Sequence, residues 1–337
     1  MNFLKRSLPY LGAVVVAFIV AGIFIALMGY DPIKAYITIL GTSFKTPYGF
    51  IQTILKWIPL TLQALAFTIP FATGKFNIGG EGQMIAGAIG ATAMGILFAD
   101  LPIYFLLPLE ILAGIVAGAL WGLVPAYLLY QFKINEILTT VLFNFIAFNL
   151  IDYVATGPWR DPGAGHPTTI AVGEGGFLPN LLTSQPLNAG VLIALAVAVG
   201  VYIYTNRTVS GFELVASGAN PKASRAHGIN VRVQFLLALM LGAALAGLSG
   251  AIEVAGTHHR LIEGLQSNFL QLGLIIGLIA AGNNLAVPFV AFFIAILEVG
   301  ARAMQRTMMI PVEMVFIVEA LVLIFILLSN VVRRRKA

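Results

Sequence analysis

The stretch YFLLPLEILAGIVAGALWGLVPAYLL (residues 104–129) decides the fold class, because its 26 residues carry one charge, Glu110. As a helix it would be about 39 Å long at 1.5 Å per residue. A hydrocarbon core about 30 Å thick needs about twenty apolar residues, so this run is long enough to cross it. Lipid offers no water to the backbone, and a helix satisfies its own peptide groups. Gly114, Gly118 and Gly122 recur every fourth residue along one face. Small residues at that spacing let helix backbones approach closely in lipid, where packing drives association. The same signal recurs at Gly242, Ala246 and Gly250, and at Gly273, Gly277 and Ala281.

The rest of the chain has the same character. Its 337 residues are 59% hydrophobic and only 10% charged, with a mean hydropathy of +0.94. A soluble domain would carry about a quarter charged residues. The composition therefore predicts an integral membrane protein. Ten runs have span length, near 10–29, 52–73, 81–99, 104–129, 135–155, 188–205, 234–256, 267–283, 286–303 and 313–332. The expectation is an all-α polytopic membrane protein of about ten transmembrane helices, forming one transmembrane domain over residues 1–337. Residues 10–29 end in Leu27-Met28-Gly29-Tyr30 with no small-x-small cleavage site, so they read as a retained first span.

The net charge of +5 does not indicate nucleic acid, because no basic face with interleaved aromatics accompanies it. The cations gather at Lys5–Arg6, between Arg207 and Arg232, and at Arg333–Lys336. That is the positive-inside pattern. With ten crossings it places both termini and the 206–233 loop in the cytoplasm. His258-His259-Arg260 and Arg302/Arg306 fall on the opposite side and oppose that count. The absence of cysteine excludes disulfides, iron–sulfur clusters and thiolate zinc sites. Four histidines occur with no H-E-x-x-H spacing, and the adjacent rings of His258 and His259 would diverge on a helix. No metal and no cofactor is expected. Neither is an enzyme: no nucleophile–base pair stands out, and GANPKAS (218–224) lacks the G-K-[ST] of a phosphate loop.

Three segments between spans carry structure. Residues 31–43 begin with Asp31 as N-cap and Pro32 at the first helical position. Ile33, Tyr36, Ile37 and Leu40 then recur at helical spacing, which predicts a short amphipathic helix on the outer membrane surface. Residues 156–187 are rich in glycine and proline and read as an ordered extracytoplasmic cap. In the 206–233 loop Asn220 and Pro221 open a short helix that Gly228 closes.

Polar groups inside an apolar chain need an account. Glu110, Asp152, Glu253, Glu298 and Glu319 fall within expected spans, all in the outer third. They read either as a structural ion-pair layer or as a proton or cation relay. Thr140, Asn144, Phe148 and Asp152 are each four apart and form one helical stripe. Such a stripe suits a neutral, hydrogen-bonding solute that contains a ring, or else serves as glue between helices. FNIGGEGQ (76–83) is a break between two helices, with Asn77, Gly79 and Gly80 permitting a tight turn. Glu81 and Gln83 lie in the first turn of the next helix, where the dipole favours a carboxylate. Transporters also place such breaks where solute passes. The candidate pathway residues are therefore Asn77, Glu81, Gln83, Thr140, Asn144 and Phe148.

PLTLQALAFTIPFATGKFNIGGEGQ (59–83), NFIAFNLIDYVATGPWRDPGAGHP (144–167) and TVSGFELVASGANPKASRAHGINV (208–231) together resemble the permease subunits of ABC importers. The branch is that of simple sugars and nucleosides, which works with lipoprotein receptors of the basic-membrane-protein type. GLIIGLIAAGNNLAVPFVAFFIAILEVGA (273–301) extends the resemblance over nearly the whole chain. It implies a non-catalytic transport subunit in the cell membrane, the bacterial plasma or inner membrane. It implies three protein partners: a cytoplasmic ATP-binding subunit, a second and shorter permease subunit, and an extracytoplasmic solute-binding lipoprotein. It also implies a coupling helix from Glu213 to Ile229, with Glu213, Asn220, Pro221, Ala223, Gly228 and Ile229 as coupling residues. The implied solute is a nucleoside, with riboflavin or a simple sugar as alternatives. The embedded carboxylates leave an ion-driven secondary transporter as a further reading. Val215 stands where the resemblance would place an arginine, and Ala280–Ala281 replace Leu-Gly-Arg surroundings.

Overall fold

The structure, a computed structural model, describes residues 2–311 together with 313, 314, 316, 317, 320, 321, 324, 325 and 328. The expected span near 313–332 falls largely outside the described residues, and Glu319 and Arg333–Lys336 wholly so. The described chain forms α1 (Asn2–Leu27), α2 (Pro32–Phe44), α3 (Pro47–Ala72), α4 (Gly80–Leu97), α5 (Ile103–Phe132) and α6 (Glu136–Thr156). After a short antiparallel hairpin, β1 (Asn180–Leu182) and β2 (Gln185–Asn188), come α7 (Gly190–Arg207), α8 (Val209–Ala219) and α9 (Pro221–Ala226). α10 (Val231–Ile252) continues into a π-helical turn, Glu253–His258, and α11 (Phe269–Ile279) and α12 (Val287–Met308) follow. The chain divides into two compact units, residues 1–56 with 292–337, and residues 57–291.

The helical, polytopic class stands, but the count of about ten spans is corrected. Six of the described helices are long and apolar enough to cross a membrane: α3, α5, α6, α7, α10 with its π turn, and α12. The reasons are local. α11 stops at Ile279 because Ala281 and Gly282 turn to φ of 52° and 75°. Its 11 residues reach about 16 Å, half of a bilayer core. α4 has a span's length, but Gly80, Gly82, Gly87, Gly90 and Gly95 with Glu81 and Gln83 dilute its apolarity. The apolar part of α1 described is Val15–Leu27. The parity argument that put both termini on one side loses its arithmetic with the count.

In the 57–291 unit the core is the crossing of α4, α5 and α10. A Cβ on Gly87 would lie 2.3 Å from the Gly247 carbonyl oxygen, and one on Gly118 would lie 2.6 Å from the Gly247 Cα. The glycine spacing on α5 thus does what its sequence indicated. The other two repeats also meet neighbours: Gly242 abuts the Ala66 carbonyl of α3, and Gly273 abuts Gln63.

The expected cap at 156–187 is ordered by backbone bonds to the far end of α10. Leu178 donates to the Ala255 carbonyl (2.8 Å), Val172 to that of His259 (3.0 Å) and Thr169 to that of Leu261 (3.0 Å). Asp161 pairs with Arg260 at 2.9 Å. The His259 ring stacks on Phe177 with centroids 3.9 Å apart, and burial lowers its pKa. Glu110 lies beneath this loop, fully buried, with its carboxylate against Gly176 and Gly95.

In the other unit α2 begins as expected. Asp31 accepts hydrogen bonds from the N–H groups of Ile33 (2.9 Å) and Lys34 (3.2 Å). It buries Ala35, Ile39 and Ser43, with Ile39 packed on Gly300 of α12. Ile33, Ile37 and Leu40 form the exposed apolar stripe. Tyr36 leaves that stripe: its hydroxyl donates to the Phe18 carbonyl. Glu298 lies between Lys56 (3.9 Å) and Arg302 (3.8 Å). Of the other described span carboxylates, Glu253 is 3.4 Å from His258 and Asp152 is exposed.

Candidate functional site

The predicted break gathers a set of buried amides. α3 ends at Ala72, and Thr73 closes the turn by donating through both its N–H (2.9 Å) and its hydroxyl (2.7 Å) to the Pro70 carbonyl. Gly74 follows with φ of 74°, a conformation glycine adopts without strain. The chain then runs without regular structure to Gly79. Irregular backbone inside a membrane is tolerated only where other protein groups satisfy it, and three side chains do so here.

Asn77 and Gln83 form a reciprocal amide pair, each donating its NH2 to the other's oxygen at 2.9 Å. The Asn77 oxygen also accepts from the Gly79 N–H at 3.2 Å, which leaves Gly79 pinned at the start of α4. Asn144, from the middle of α6, reaches across to the same place. Its oxygen accepts from the Gly82 N–H (2.9 Å) and its NH2 donates to the Ile78 carbonyl (2.8 Å). Gln63 of α3 donates to the Gly80 carbonyl at 3.3 Å. Asn77, Gln83, Asn144 and Gln63 are all buried.

The structure therefore brings together Asn77, Gln83, Thr140 and Asn144 of the expected pathway set. Thr140 packs against Gly79, and its hydroxyl donates back to the Glu136 carbonyl of its own helix at 2.6 Å. Glu81 is half-buried at the mouth of α4. Phe148, also half-buried, meets Phe145 edge-to-face. The stripe does not run on as one surface, since Asp152 is exposed. Two members of the cluster escaped the sequence reading. Gln63 retains a buried oxygen with no hydrogen-bond partner among the described residues, and so does the indole nitrogen of Trp121, which faces Gly82. A glutamine in the middle of an apolar run was the signal available for Gln63. Trp121 gave none, because an indole in a span reads as packing.

The expected coupling helix is two helices. α8 carries Glu213. Asn220 ends α8 and caps α9, accepting from the Lys222 (3.2 Å) and Ala223 (3.1 Å) N–H groups, with Pro221 at the first position. Gly228, at φ of 82°, stops α9, and the Ile229 N–H folds back to the Ser224 carbonyl at 3.0 Å. Glu213 does not point outward: its carboxylate accepts from the Gln234 side chain of α10 at 2.7 Å. α8 buries Gly211, Leu214 and Ser217 and turns an apolar face outward, with Val209 76%, Phe212 67% and Val215 41% exposed.

Residues 49–327 match the family model described as branched-chain amino acid transport system / permease component. A glucose ABC transporter permease protein of Haloferax volcanii is 31% identical, over 95% of this chain and 87% of its own. A guanosine ABC transporter permease protein of Bacillus subtilis is 30% identical, over 98% and 95% respectively. A nucleoside ABC transporter permease protein of Lactococcus lactis is 28% identical, over 98% and 93%. No solved structure matches the chain.

Proposed function

We propose that this chain, which belongs to the branched-chain amino acid transport system / permease component family of ABC transporters, carries a nucleoside into the cytoplasm. The observation that carries the solute assignment is the amide pair between Asn77 and Gln83. A primary amide presents a donor beside an acceptor, as the edge of a nucleobase does. Gln83 can exchange its partner for a base, because the displaced Asn77 keeps the Gly79 N–H on its oxygen (3.2 Å) and the Ala66 carbonyl as acceptor for its NH2 (3.5 Å). A site built to hydrogen-bond a ring also rejects rings that lack those groups. Half-buried Phe148 offers a face on which a base can stack. Two of the three relatives described above are named for guanosine or nucleosides.

The partners follow from the same reading. The chain contains no phosphate loop, so ATP hydrolysis falls to a cytoplasmic ATP-binding subunit. The apolar outer face of α8 is the natural seat for it, since an exposed apolar patch on a helix outside lipid marks a protein contact. A second, shorter permease completes the pore, and an extracytoplasmic lipoprotein delivers solute above the 156–187 cap. The basic 206–233 loop and the basic terminal segments then lie in the cytoplasm, with residues 1–337 acting as one permease domain in the bacterial cell membrane. Replacing Phe212 by Asp is expected to lower ATPase recovery in affinity co-purification at least tenfold. Full recovery would remove α8 from the docking surface.

A simple sugar is the second reading, favoured by the relative named for glucose. The test uses the assembled complex of both permeases, the ATPases and the receptor in proteoliposomes, with guanosine, glucose and riboflavin supplied separately. Guanosine alone is expected to accelerate ATP hydrolysis. Acceleration by glucose or riboflavin alone would replace the nucleoside, and acceleration by none of them would remove the solute assignment.

A further inference from the structure

We infer that α8 acts on the 73–79 break directly, with Gly218 as the positioning residue; this rests on the permease reading above. Gly218 lies in the last turn of α8. A Cβ there would stand 2.1 Å from the Ala72 carbonyl oxygen and 2.6 Å from the Thr73 Cα. The contact is backbone on backbone. No flexible side chain lies between the two elements to absorb a displacement, and packed interiors transmit strain instead of deforming smoothly.

The far side of this contact is the break itself. Ala72 is the last residue of α3, and the Thr73 turn is fixed by its two bonds to the Pro70 carbonyl. Pro70 cannot donate to the helical ladder, so the last turn of α3 is already weakened. From Thr73 it is four residues to Asn77, half of the amide pair. The α3 end also rests on α10, where Gly242 abuts the Ala66 carbonyl and Pro70. The inner face of α8 has a second attachment to α10, the 2.7 Å bond between Glu213 and Gln234. α8 is thus held at Glu213 and touches the end of α3 at Gly218. A tilt of α8 about its α10 attachment presses the Thr73 turn and shifts Asn77 relative to Gln83, which belongs to α4. α9 is more open: Lys222, Ala223, Arg225 and Ala226 are all exposed.

Adding one methyl group at 218 must displace the Ala72 carbonyl or α8 by roughly 1 Å or more, since ordinary contacts lie at about 3.5 Å. The test measures solute uptake and ATP hydrolysis together in the reconstituted complex. Gly218→Ala is expected to keep hydrolysis within about twofold of wild type and to lower uptake per ATP at least tenfold. An uptake-to-ATP ratio within twofold of wild type would overturn the inference. Should Gly218→Ala fail to assemble, the α10 attachment decides. Gln234→Glu, which sets two carboxylates together, is expected to lower the ratio, and E213Q/Q234E to restore it. Wild-type ratios in both would overturn the inference. A wild-type complex that couples no uptake to ATP would instead remove the permease reading beneath it.

Discussion

Asn144→Leu is expected to abolish uptake and to destabilise the chain at the same time. The side chain of Asn144 satisfies two backbone groups of an irregular segment, the Gly82 N–H and the Ile78 carbonyl. Leucine has the same branched heavy-atom skeleton, somewhat larger, and satisfies neither. A buried group left without its partner costs about 1–3 kcal/mol, so the pair costs roughly 2–6 kcal/mol. Lipid supplies no water in place of the lost amide. The expected results are uptake at background in proteoliposomes and a clear fall in the melting temperature of the purified protein. Thr139→Val is the control. Thr139 is also buried on α6, but its hydroxyl bonds only the Asn135 carbonyl of its own helix at 2.6 Å. It is expected to cost less than about 1 kcal/mol, within the range of a single net hydrogen bond. Normal uptake and an unshifted melt in Asn144→Leu would show that the break stands without its brace.

That expectation differs from what residue spacing alone gives. Read as a stripe with Thr140, Phe148 and Asp152, Asn144 is either a solute contact or glue between helices. The stripe was legible because four-residue spacing fixes a helix face. What the residue bonds to was not, because its partners lie 62 and 66 positions away in the chain. The break was legible for the opposite reason: asparagine and paired glycines state a local turn without reference to anything distant. Asp31 and Asn220 were legible as caps on the same grounds, and both accept the bonds expected of them. The number of spans was the largest misreading. Hydropathy counts apolar residues, but the end of α11 is set by backbone conformation at Ala281, a residue with no bias toward positive φ. The division of the 206–233 loop into two helices was also hidden. The reading took Asn220 only as the start of α9, when it closes α8 as well.

Gly247→Val is expected to have the largest effect on folding. Gly247 sits where three helices meet. Its Cβ position lies 2.3 Å from the Gly114 carbonyl and 2.8 Å from the Gly118 Cα. From the other side, a Cβ on Gly87 would come within 2.4 Å of the Gly247 Cα itself. No side chain can rotate away, because all these neighbours are backbone. Overpacking a tight core costs about 1–3 kcal/mol and occasionally more. Here α5 must retreat from α10, which also removes the dispersion contacts that hold helices together in lipid. The break would lose its footing too, since Gln83 lies one turn before Gly87 on α4 and packs beside Gly122 of α5. Size-exclusion chromatography of the detergent-solubilised variant should show aggregate in place of a monodisperse peak. Gly200→Val is the control, because a Cβ at Gly200 meets nothing within 4 Å. Its profile should match wild type. A monodisperse Gly247→Val with a wild-type melt would mean that the three backbones do not approach as closely as the glycines allow.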